Sequence, residues 1–291
     1  MRIDCIPVAL LSLFVEFGVH PSELGVSGVH DYRLLAWTST SPEAVRGAGT
    51  VHIIRPALEK CLLERASAHR NISLIIGMRI NSLPAARRIL DATGRRAISA
   101  ERRYLPANPA VLRAIIVRGP FSRAQQAFRL ASLPTGYAYR LGMGDALMVG
   151  LVQGRDQWRE SAGPLAQKLR SAGVDWLLAG ISGEASEVMI GGVASVQWSS
   201  GPGPVIRVGD AAIARDALAS QGIANGISAG LSLFENPGAE ATYFRRVKAD
   251  TLSHVSTLRE LIQSCVYHEH AFWAGYSEFL KCPGAGFALQ T

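Results

Sequence analysis

The 291-residue sequence predicts an α/β fold that combines a parallel strand-and-helix part with an antiparallel sheet. Three observations lead to this prediction. A hydrophobic strand at 204–208 runs into Gly209-Asp210, and a helix follows after a loop of small residues. Short β-type runs punctuated by Arg, Gly and Pro fill residues 111–152, as is typical of an antiparallel sheet. The last part of the chain, from Thr242 to about Leu280, has helical periodicity.

Composition, charge and cysteine spacing limit the classes of function that we expect. Hydrophobic residues make up 48% of the chain, which is ample for a sizeable core, and the formal net charge is +7. The basic residues are spread out and are not interleaved with aromatic side chains, so we expect no nucleic-acid binding. The four cysteines lie far apart without a C-x-x-C pair, which favours reduced cysteines in a cytoplasmic protein. The apolar run at 6–15 is too short to span a bilayer, so we expect no membrane span.

The first hundred residues predict helices and strands in turn. An apolar helix is expected over Pro7–Gly18, and a second helix follows Pro56, a residue well suited to the first helical position. A strand is predicted over Ile72–Ile80. A further strand, Arg88–Asp91, ends on a carboxylate. No internal repeat or low-complexity linker separates these elements from the rest, so one interwoven body is expected.

The most informative segment reads VIRVGDAAIARDALASQGIANGISAG from Val205 to Gly230. In α/β folds, ligands bind at the carboxyl ends of strands, and the carboxylate of Asp210 can accept hydrogen bonds from sugar hydroxyls. Gly222 precedes a helix whose free N–H groups and positive dipole end favour phosphate or another anion. From these residues alone, an ordinary strand–loop–helix joint is an equally good interpretation.

This segment resembles the second flavin motif of FAD-dependent monooxygenases, halogenases and related maturation flavoproteins. The family motif reads G-D-A-A, a few residues, and then D-P-L-S-S-Q-G-I. The resemblance implies that Asp210 contacts the ribityl or pyrophosphate part of FAD. It also implies that Gln221, Gly222 and Ile223 lie against the isoalloxazine ring. Ala217 stands where the family has proline, which puts the stiffness of this loop in question.

Four weaker segments agree with the family in order and spacing. Arg55 opens an R-x-x-L-x-x-x-L helix, and Asp91 opens D-A-T-G-R. Gly136 opens G-Y-A-Y, similar to a strand of the family's substrate sheet, and Tyr267 opens an aromatic Y-H-E-H-A-F-W run. The cofactor-binding residues implied by the resemblance are Gly209, Asp210, Ala211, Gln221, Gly222, Ile223, Arg55 and Asp91.

The resemblance implies a partial FAD-binding Rossmann-like domain that lacks its first βαβ unit. This domain would be interwoven with an antiparallel β-sheet substrate domain and C-terminal helices. The predicted boundaries are 1–105 and 199–240 for the FAD-binding part, 106–198 for the substrate domain and 241–291 for the helical region. No G-x-G-x-x-G occurs, and its glycines normally seat the pyrophosphate on a helix N-terminus. We therefore expect weak FAD binding and low stability for this chain alone.

By resemblance, the function is that of a FAD-dependent oxidoreductase, a monooxygenase acting on a small aromatic molecule or on a side chain of a partner protein. The D-A-T-G-R and S-Q-G-I variants favour the maturation flavoproteins, whereas the absence of W-x-W-x-I-P counts against halogenation. Electrons would come from NAD(P)H or from a separate flavin reductase. Two alternatives stay open: a truncated, non-catalytic remnant or partner-binding subunit, and an isoprenoid-type flavin reductase.

The sequence does not identify a catalytic acid or base. His52 is a candidate because the unperturbed histidine pKa lies near neutrality, although a satisfied structural histidine is the commoner case. His268 and His270 are two apart and do not share a helix face, so no metal site is predicted. Ser220 lacks a G-x-S-x-G elbow and identifiable partners, which excludes hydrolase chemistry.

Overall fold

The computed structural model describes residues 3–26, 28–100, 102–104, 110–160, 163–181, 185–192, 197–200, 205–215, 218, 222–235 and 240–281. The chain divides into two compact units. The first unit comprises Met1–Met78 and Val111–Gly191, and the second comprises Arg79–Ala110 and Gly192–Thr291. The division of the chain into FAD-binding and substrate parts stays a prediction.

Strands predominate in the first two thirds of the chain, and helices predominate at its end. The strands are β1 (Ile3–Pro7), β2 (Val29–Ala36), β3 (Glu43–Ile54), β4 (Ile89–Asp91), β5 (Arg102–Tyr104), β6 (Ala110–Arg118), β7 (Phe128–Leu133), β8 (Gly136–Met143), β9 (Ala146–Gly154), β10 (Ala185–Gly192), β11 (Gln197–Ser200), β12 (Val205–Arg207) and β13 (Ile213–Ala214). The helices are α1 (Leu10–Glu16), α2 (Arg55–Ala68), α3 (Arg123–Gln126), α4 (Arg155–Glu160), α5 (Leu165–Ser171), α6 (Gly222–Glu235), α7 (Glu240–Gln263) and α8 (Ala271–Lys281).

The first unit is built on an eight-stranded sheet in the order β1-β3-β2-β7-β8-β9-β6-β10. Strands β2 and β7 pair in parallel, whereas β1–β3, β3–β2, β7–β8 and β8–β9 pair antiparallel. The β8–β9 hairpin turns at Gly144, whose φ of 55° is a left-handed value that suits glycine. Strands β1 and β3 also contact β8, although two strands separate β3 from β8 in the sheet order. The sheet is therefore curled.

Both faces of this sheet are covered, which explains its continuous apolar strands. The sequence of β9 is ALMVGLVQG, and all of its residues except Gln153 are buried. On one face, Leu165 and Leu169 of α5 and the nearby Leu177 pack against the sheet. Burying each such leucine contributes roughly 1.5–3 kcal/mol relative to leaving it exposed. The other face forms a second core that includes Met143 and Met148 inside the curl.

The second unit contains the short parallel pair β4–β12 and the three-stranded sheet β13-β11-β5. Helix α6 follows the 3-10 turn Gly209–Ala211 that ends β12, and α7 packs beside α6. Ile206 of β12, Leu233 of α6 and Tyr243 of α7 form the core between them. The predicted α/β class, with a mostly antiparallel large sheet and additional helices, is confirmed.

Two local predictions differ from the structure. The first helix is shorter than predicted and spans Leu10–Glu16. The strand predicted over Ile72–Ile80 is wrong, because the structure shows irregular chain there. A strand needs a neighbouring backbone for its hydrogen bonds, and no strand in the described parts of the chain supplies one. None of the described helices is long and apolar enough to cross a bilayer.

Candidate functional site

The candidate site lies where the two parallel strands of the second unit end. Ile89 pairs with Val205 and Asp91 with Arg207, so β4 and β12 end at the same level. The N–H of Val208 continues the pairing and donates to the carbonyl oxygen of Asp91 at 2.9 Å. The turns that follow the two strands contact one another. This is the carboxyl edge at which α/β folds bind ligands.

The turn after β12 favours glycine because of its backbone conformation. Gly209 has a φ of 56°, which is costly for other residues. Gly209 also lies against α6, since a Cβ at this position would be in van der Waals contact with the Cα of Gly226, at 3.4 Å. The small residues of the sequence motif therefore bring the turn directly against the beginning of α6.

Asp210 lies at the N-terminal end of α6. A Cβ placed on Gly222, the first residue of α6, would be only 3.8 Å from Oδ1 of Asp210. The guanidinium Nε of Arg95 lies 3.7 Å from Oδ2 of Asp210, and both side chains are partly exposed. Arg95 is itself held by a 3.1 Å hydrogen bond from its Nη2 to the carbonyl oxygen of Arg215. A partly exposed pair of this kind contributes only about 0–1 kcal/mol, so a ligand can replace it at little cost.

Asp91 is placed differently. Its side chain is buried and accepts hydrogen bonds from the backbone N–H and hydroxyl groups of both Thr93 and Ser99, at 2.5–2.9 Å. Burial alone would raise the pKa of Asp91, but the hydrogen bonds from Ser99 and Thr93 outweigh it and hold the pKa below its usual value. Both carboxylate oxygens of Asp91 thus accept hydrogen bonds that stabilise the loop containing D-A-T-G-R.

A cavity of about 100 Å³ opens beside this turn, between α6 and α7. Asp210, Gly222, Asn225, Ser232 and Arg246 are among its lining residues. The Nδ2 atom of Asn225 is buried and has no hydrogen-bond partner in the described parts of the chain. Such a group is a donor available to a ligand. The motif did not draw attention to Asn225, but positions 222, 225, 229 and 232 share one helix face by their spacing.

Comparisons with known proteins bear on what this geometry binds. No protein-family model matches the chain, and no curated protein matches it. Among solved structures, the peptidyl tryptophan dihydroxylase QhpG, essential for tryptophylquinone cofactor biogenesis, aligns with a TM-score of 0.67 at 16% identity. That alignment covers 94% of this chain and 70% of QhpG.

Two further structures give the same result. The myxobacterial chondrochloren halogenase CndH, a FAD-dependent halogenase, aligns with a TM-score of 0.65 at 16% identity, covering 92% of this chain and 73% of CndH. PqsL from P. aeruginosa, solved with 2-aminobenzoylacetate, aligns with a TM-score of 0.65 at 14% identity, covering 94% of this chain and 88% of PqsL. The chain has the fold of the FAD-dependent monooxygenases and halogenases. The resemblance inferred from the motifs is confirmed at this level.

Within this flavoprotein fold, the predicted cofactor residues are placed as follows. Gly209, Asp210, Ala211 and Gly222 come together at the turn, and Ile223 follows as the second residue of α6. Ala211 is fully buried, so its contribution is to pack the turn. Gln221 lies outside the described residues, as do Ser220 and Ala217.

Arg55 belongs to the first unit of the flavoprotein fold, where it opens α2. Its Nε donates to Glu59 at 2.7 Å, and its Nη1 lies 3.4 Å from Asp4. Burial would lower the pKa of Arg55, but hydrogen bonding and ion pairing with Glu59 and Asp4 outweigh this and raise it. The side chain is partly exposed and carries its charge. Its predicted place near FAD stays a prediction, as do the other cofactor assignments.

His52 and His268 each lie within hydrogen-bond distance of a backbone carbonyl oxygen. His52 is buried in β3, and Nδ1 lies 2.6 Å from the carbonyl oxygen of Gly142. Burial lowers its pKa to about 4, so the ring is neutral at physiological pH and serves the core. His268 bonds to the carbonyl of Cys265. Among the residues that the structure describes, no group of three or more His, Cys, Asp or Glu side chains is arranged to hold a metal ion.

Proposed function

We propose that this chain is a FAD-binding oxidoreductase, a monooxygenase that acts on an aromatic molecule or on an aromatic side chain of a partner protein. The observation that carries the proposal is the placement of Asp210 at the N-terminal end of α6, beside a glycine turn that ends a parallel strand. A carboxylate that accepts from sugar hydroxyls and a helix end that favours anions suit the two chemical parts of a flavin nucleotide.

Each residue of the turn would have a separate task. Asp210 would accept hydrogen bonds from the ribityl hydroxyls, after Arg95 has been released from the 3.7 Å pair. Gly222 would allow the cofactor to approach the backbone of α6, and Asn225 would donate its unused N–H. Bound FAD would supply the oxygen-transfer chemistry, while the chain binds, orients and excludes water. Electrons would come from NAD(P)H or a separate flavin reductase.

The aromatic substrate class is supported by the similar structures. QhpG is named a peptidyl tryptophan dihydroxylase, and PqsL was solved with 2-aminobenzoylacetate. Together with the D-A-T-G-R and S-Q-G-I variants, the likeness to QhpG favours a side chain of a partner protein as substrate. The antiparallel strands β8 and β9, around Gly136 to Val152, would form the substrate wall of the first unit.

The test is a titration of the purified chain with FAD, followed by flavin fluorescence. We expect saturable binding that Asp210→Asn weakens by about tenfold or more, because hydrogen bonds to a charged acceptor contribute about 1.5–3 kcal/mol. Asp145→Asn is the matched control, because Asp145 is an exposed aspartate in the β8–β9 turn of the other unit. Equal FAD affinity for both variants would remove Asp210 from the site.

A second candidate function is that of a non-catalytic subunit that binds a partner and no flavin. The sequence contains no G-x-G-x-x-G, whose glycines normally seat the pyrophosphate on a helix N-terminus, and this favours the second function. A folded chain that binds no FAD in the titration would support this second function and contradict the first.

A further inference from the structure

The cavity between α6 and α7 is lined by a polar stripe of α6. Asn225, Ser228 and Ser232 all face it, and their spacing of three and four residues places them along one side of the helix. Both helices belong to the second unit. A helix normally turns an apolar stripe towards its neighbours in the core. A polar stripe between two helices therefore indicates that the space between them holds a polar ligand or water.

Asn225 contributes an unused hydrogen-bond donor to this stripe. Its Nδ2 atom is buried and has no partner in the described parts of the chain. A buried donor without a partner destabilises the fold, and most such groups in proteins are paired with protein, water or ligand. A ligand with acceptor oxygen atoms would supply the missing partner.

Arg246 of α7 lines the same cavity and is held in place from one side. Its Nη1 donates to the hydroxyl oxygen of Ser232 at 2.8 Å. Its Nε lies 3.8 Å from Oδ2 of Asp250, and the two side chains are each more than half exposed. An exposed ion pair of this length contributes little to stability. A guanidinium has five N–H donors and binds phosphate through two of them at once, so a phosphate could take the place of Asp250.

The charge around the cavity also favours an anion. Arg215 and Arg246 line it together with Asp210 and Asp250, and Arg95 lies beside Asp210. Among the described residues of this site, three arginines thus stand against two aspartates. A ligand with negative charge is attracted to such a cavity. A metal ion is not favoured, because no group of three or more His, Cys, Asp or Glu side chains suits one in the described ranges.

A flavin nucleotide would bring its negative charge to this place. Its first phosphate is attached to the end of the ribityl chain, whose hydroxyls would bind Asp210. Asp210 and Arg246 line one cavity, so a ribityl chain at Asp210 would direct the phosphate into it. The sequence contains no G-x-G-x-x-G, whose glycines normally seat the pyrophosphate. The phosphates therefore need donors of another kind, and Arg246 and Asn225 are such donors.

We propose that α6 and α7 form a phosphate-binding site centred on Arg246, which holds the phosphate groups of the flavin nucleotide. This inference rests on the function proposed above and adds a residue from outside the flavin motif. Arg246 would exchange Asp250 for the phosphate and donate two N–H groups to it, while Ser232 keeps the guanidinium in place. Asn225 would donate its Nδ2–H to a phosphate oxygen.

The experiment compares riboflavin with FMN, which differ by one phosphate group, and adds FAD as the complete cofactor. Isothermal titration calorimetry gives the affinity of each flavin for the full chain and for three variants: Arg246→Gln, Arg245→Gln and Asp250→Asn. Arg245→Gln is the matched control, because it removes the same charge from the neighbouring exposed position of α7, outside the cavity lining. All three positions are exposed, so the variants should fold, which circular dichroism and thermal melting verify.

We expect FMN and FAD to bind about tenfold or more tightly than riboflavin, because the charge-assisted hydrogen bonds to phosphate are strong. Arg246→Gln should remove this preference and leave riboflavin binding unchanged, whereas Arg245→Gln should keep it. Asp250→Asn should increase the affinity for FMN but not for riboflavin, since it frees Arg246 and removes a negative charge. Equal affinity of the unsubstituted chain for FMN and riboflavin, or the same loss in both arginine variants, would overturn the inference and leave flavin binding itself intact.

If none of the three flavins binds, the proposed function fails, and inorganic pyrophosphate then tests the site alone. Pyrophosphate binding that Arg246→Gln weakens by about tenfold, and Arg245→Gln does not, would keep the phosphate site and remove the flavin from it. No pyrophosphate binding, or equal weakening in both variants, would overturn the phosphate site as well.

Discussion

At the scale of single residues, the first unit holds two buried histidines with unusual surroundings. The rings of His30 and His52 are stacked with their centroids 4.4 Å apart, and the Nε2 atom of each is buried without a partner in the described parts of the chain. A proton on His52 would be repelled by His30 and Arg33, and one on His30 by Arg123. Both histidines therefore favour the neutral form in the folded state.

This pair should make the fold sensitive to acid. Burial lowers the pKa of His52 from 6.5 to about 4, and it lowers that of His30 as well. The unfolded chain therefore takes up protons first as the pH falls below 6.5, and stability is lost until the pH reaches about 4. For His52 alone this corresponds to about 3 kcal/mol of unfolding free energy.

The measurement is urea unfolding as a function of pH. His52→Asn removes the titration but keeps an amide N–H near the position of Nδ1, which bonds to Gly142. The variant should show a clearly shallower loss of stability between pH 6.5 and 4 than the unsubstituted chain. His69→Asn, at an exposed position, is the control and should leave the slope unchanged. Identical slopes for all three proteins would mean that other groups cause the acid sensitivity.

The sequence was least informative about the contacts between individual residues of the site. Asp210 and Gly222 lie close together in the structure, and the local order of strand, glycine turn and helix in the motif is consistent with this. The Arg95–Asp210 pair joins residues far apart in the chain, and no local pattern predicts it. Thr93 and Ser99 donate hydrogen bonds to the Asp91 carboxylate only because the loop folds back on itself, and the D-A-T-G-R motif does not specify that loop conformation.

At the scale of elements, the close packing of α6 on the Gly209 turn is the contact that shapes the site. A Cβ on Gly226 would be in van der Waals contact with the Cα of Gly209, at 4.0 Å, and the two methyl groups of valine add bulk beyond that Cβ. Gly226→Val should therefore push α6 away from the turn. Gly230→Val changes the same helix at an exposed position where an added Cβ meets nothing within 4 Å.

The two substitutions make the same change in helix propensity, so their difference isolates packing. In urea unfolding, we expect Gly226→Val to be less stable than Gly230→Val by about 1–3 kcal/mol. FAD affinity should fall in the Gly226 variant only, since Asp210 would lose its place at the helix end. If both variants unfold at the same urea concentration, the turn and α6 are not in contact in solution.

Elements also show why one part of the fold was predictable and another was not. Strand β12 was predicted from a hydrophobic run that ends at Gly209-Asp210, and its partner β4 supplies the hydrogen bonds in the structure. Residues 72–80 have an equally clear strand pattern but no partner in the described parts of the chain, so they stay irregular. Residue periodicity and strand propensity are properties of one segment, whereas a β-strand also needs a second segment that supplies its backbone hydrogen-bond partners.

At the scale of the whole molecule, the chain consists of two units with separate cores, and the proposed cofactor residues lie in both. Asp210 and Gly222 belong to the second unit, and Arg55 to the first. A ligand that binds only the folded state stabilises it by about 2.7 kcal/mol at a concentration of 100 times its Kd. FAD bound at Asp210 and Gly222 should therefore stabilise the second unit.

Hydrogen exchange followed by mass spectrometry tests this last prediction. Near-saturating FAD should slow exchange at the beginning of α6, and Asp210→Asn should abolish this effect at the same FAD concentration. Residues 73–87 serve as an internal control: the structure shows no backbone hydrogen bond from them to any other described part of the chain, so they should exchange equally fast with and without FAD. No protection at α6 would favour a partner-binding chain without flavin, since the residues that carry the proposal would then take no part in binding.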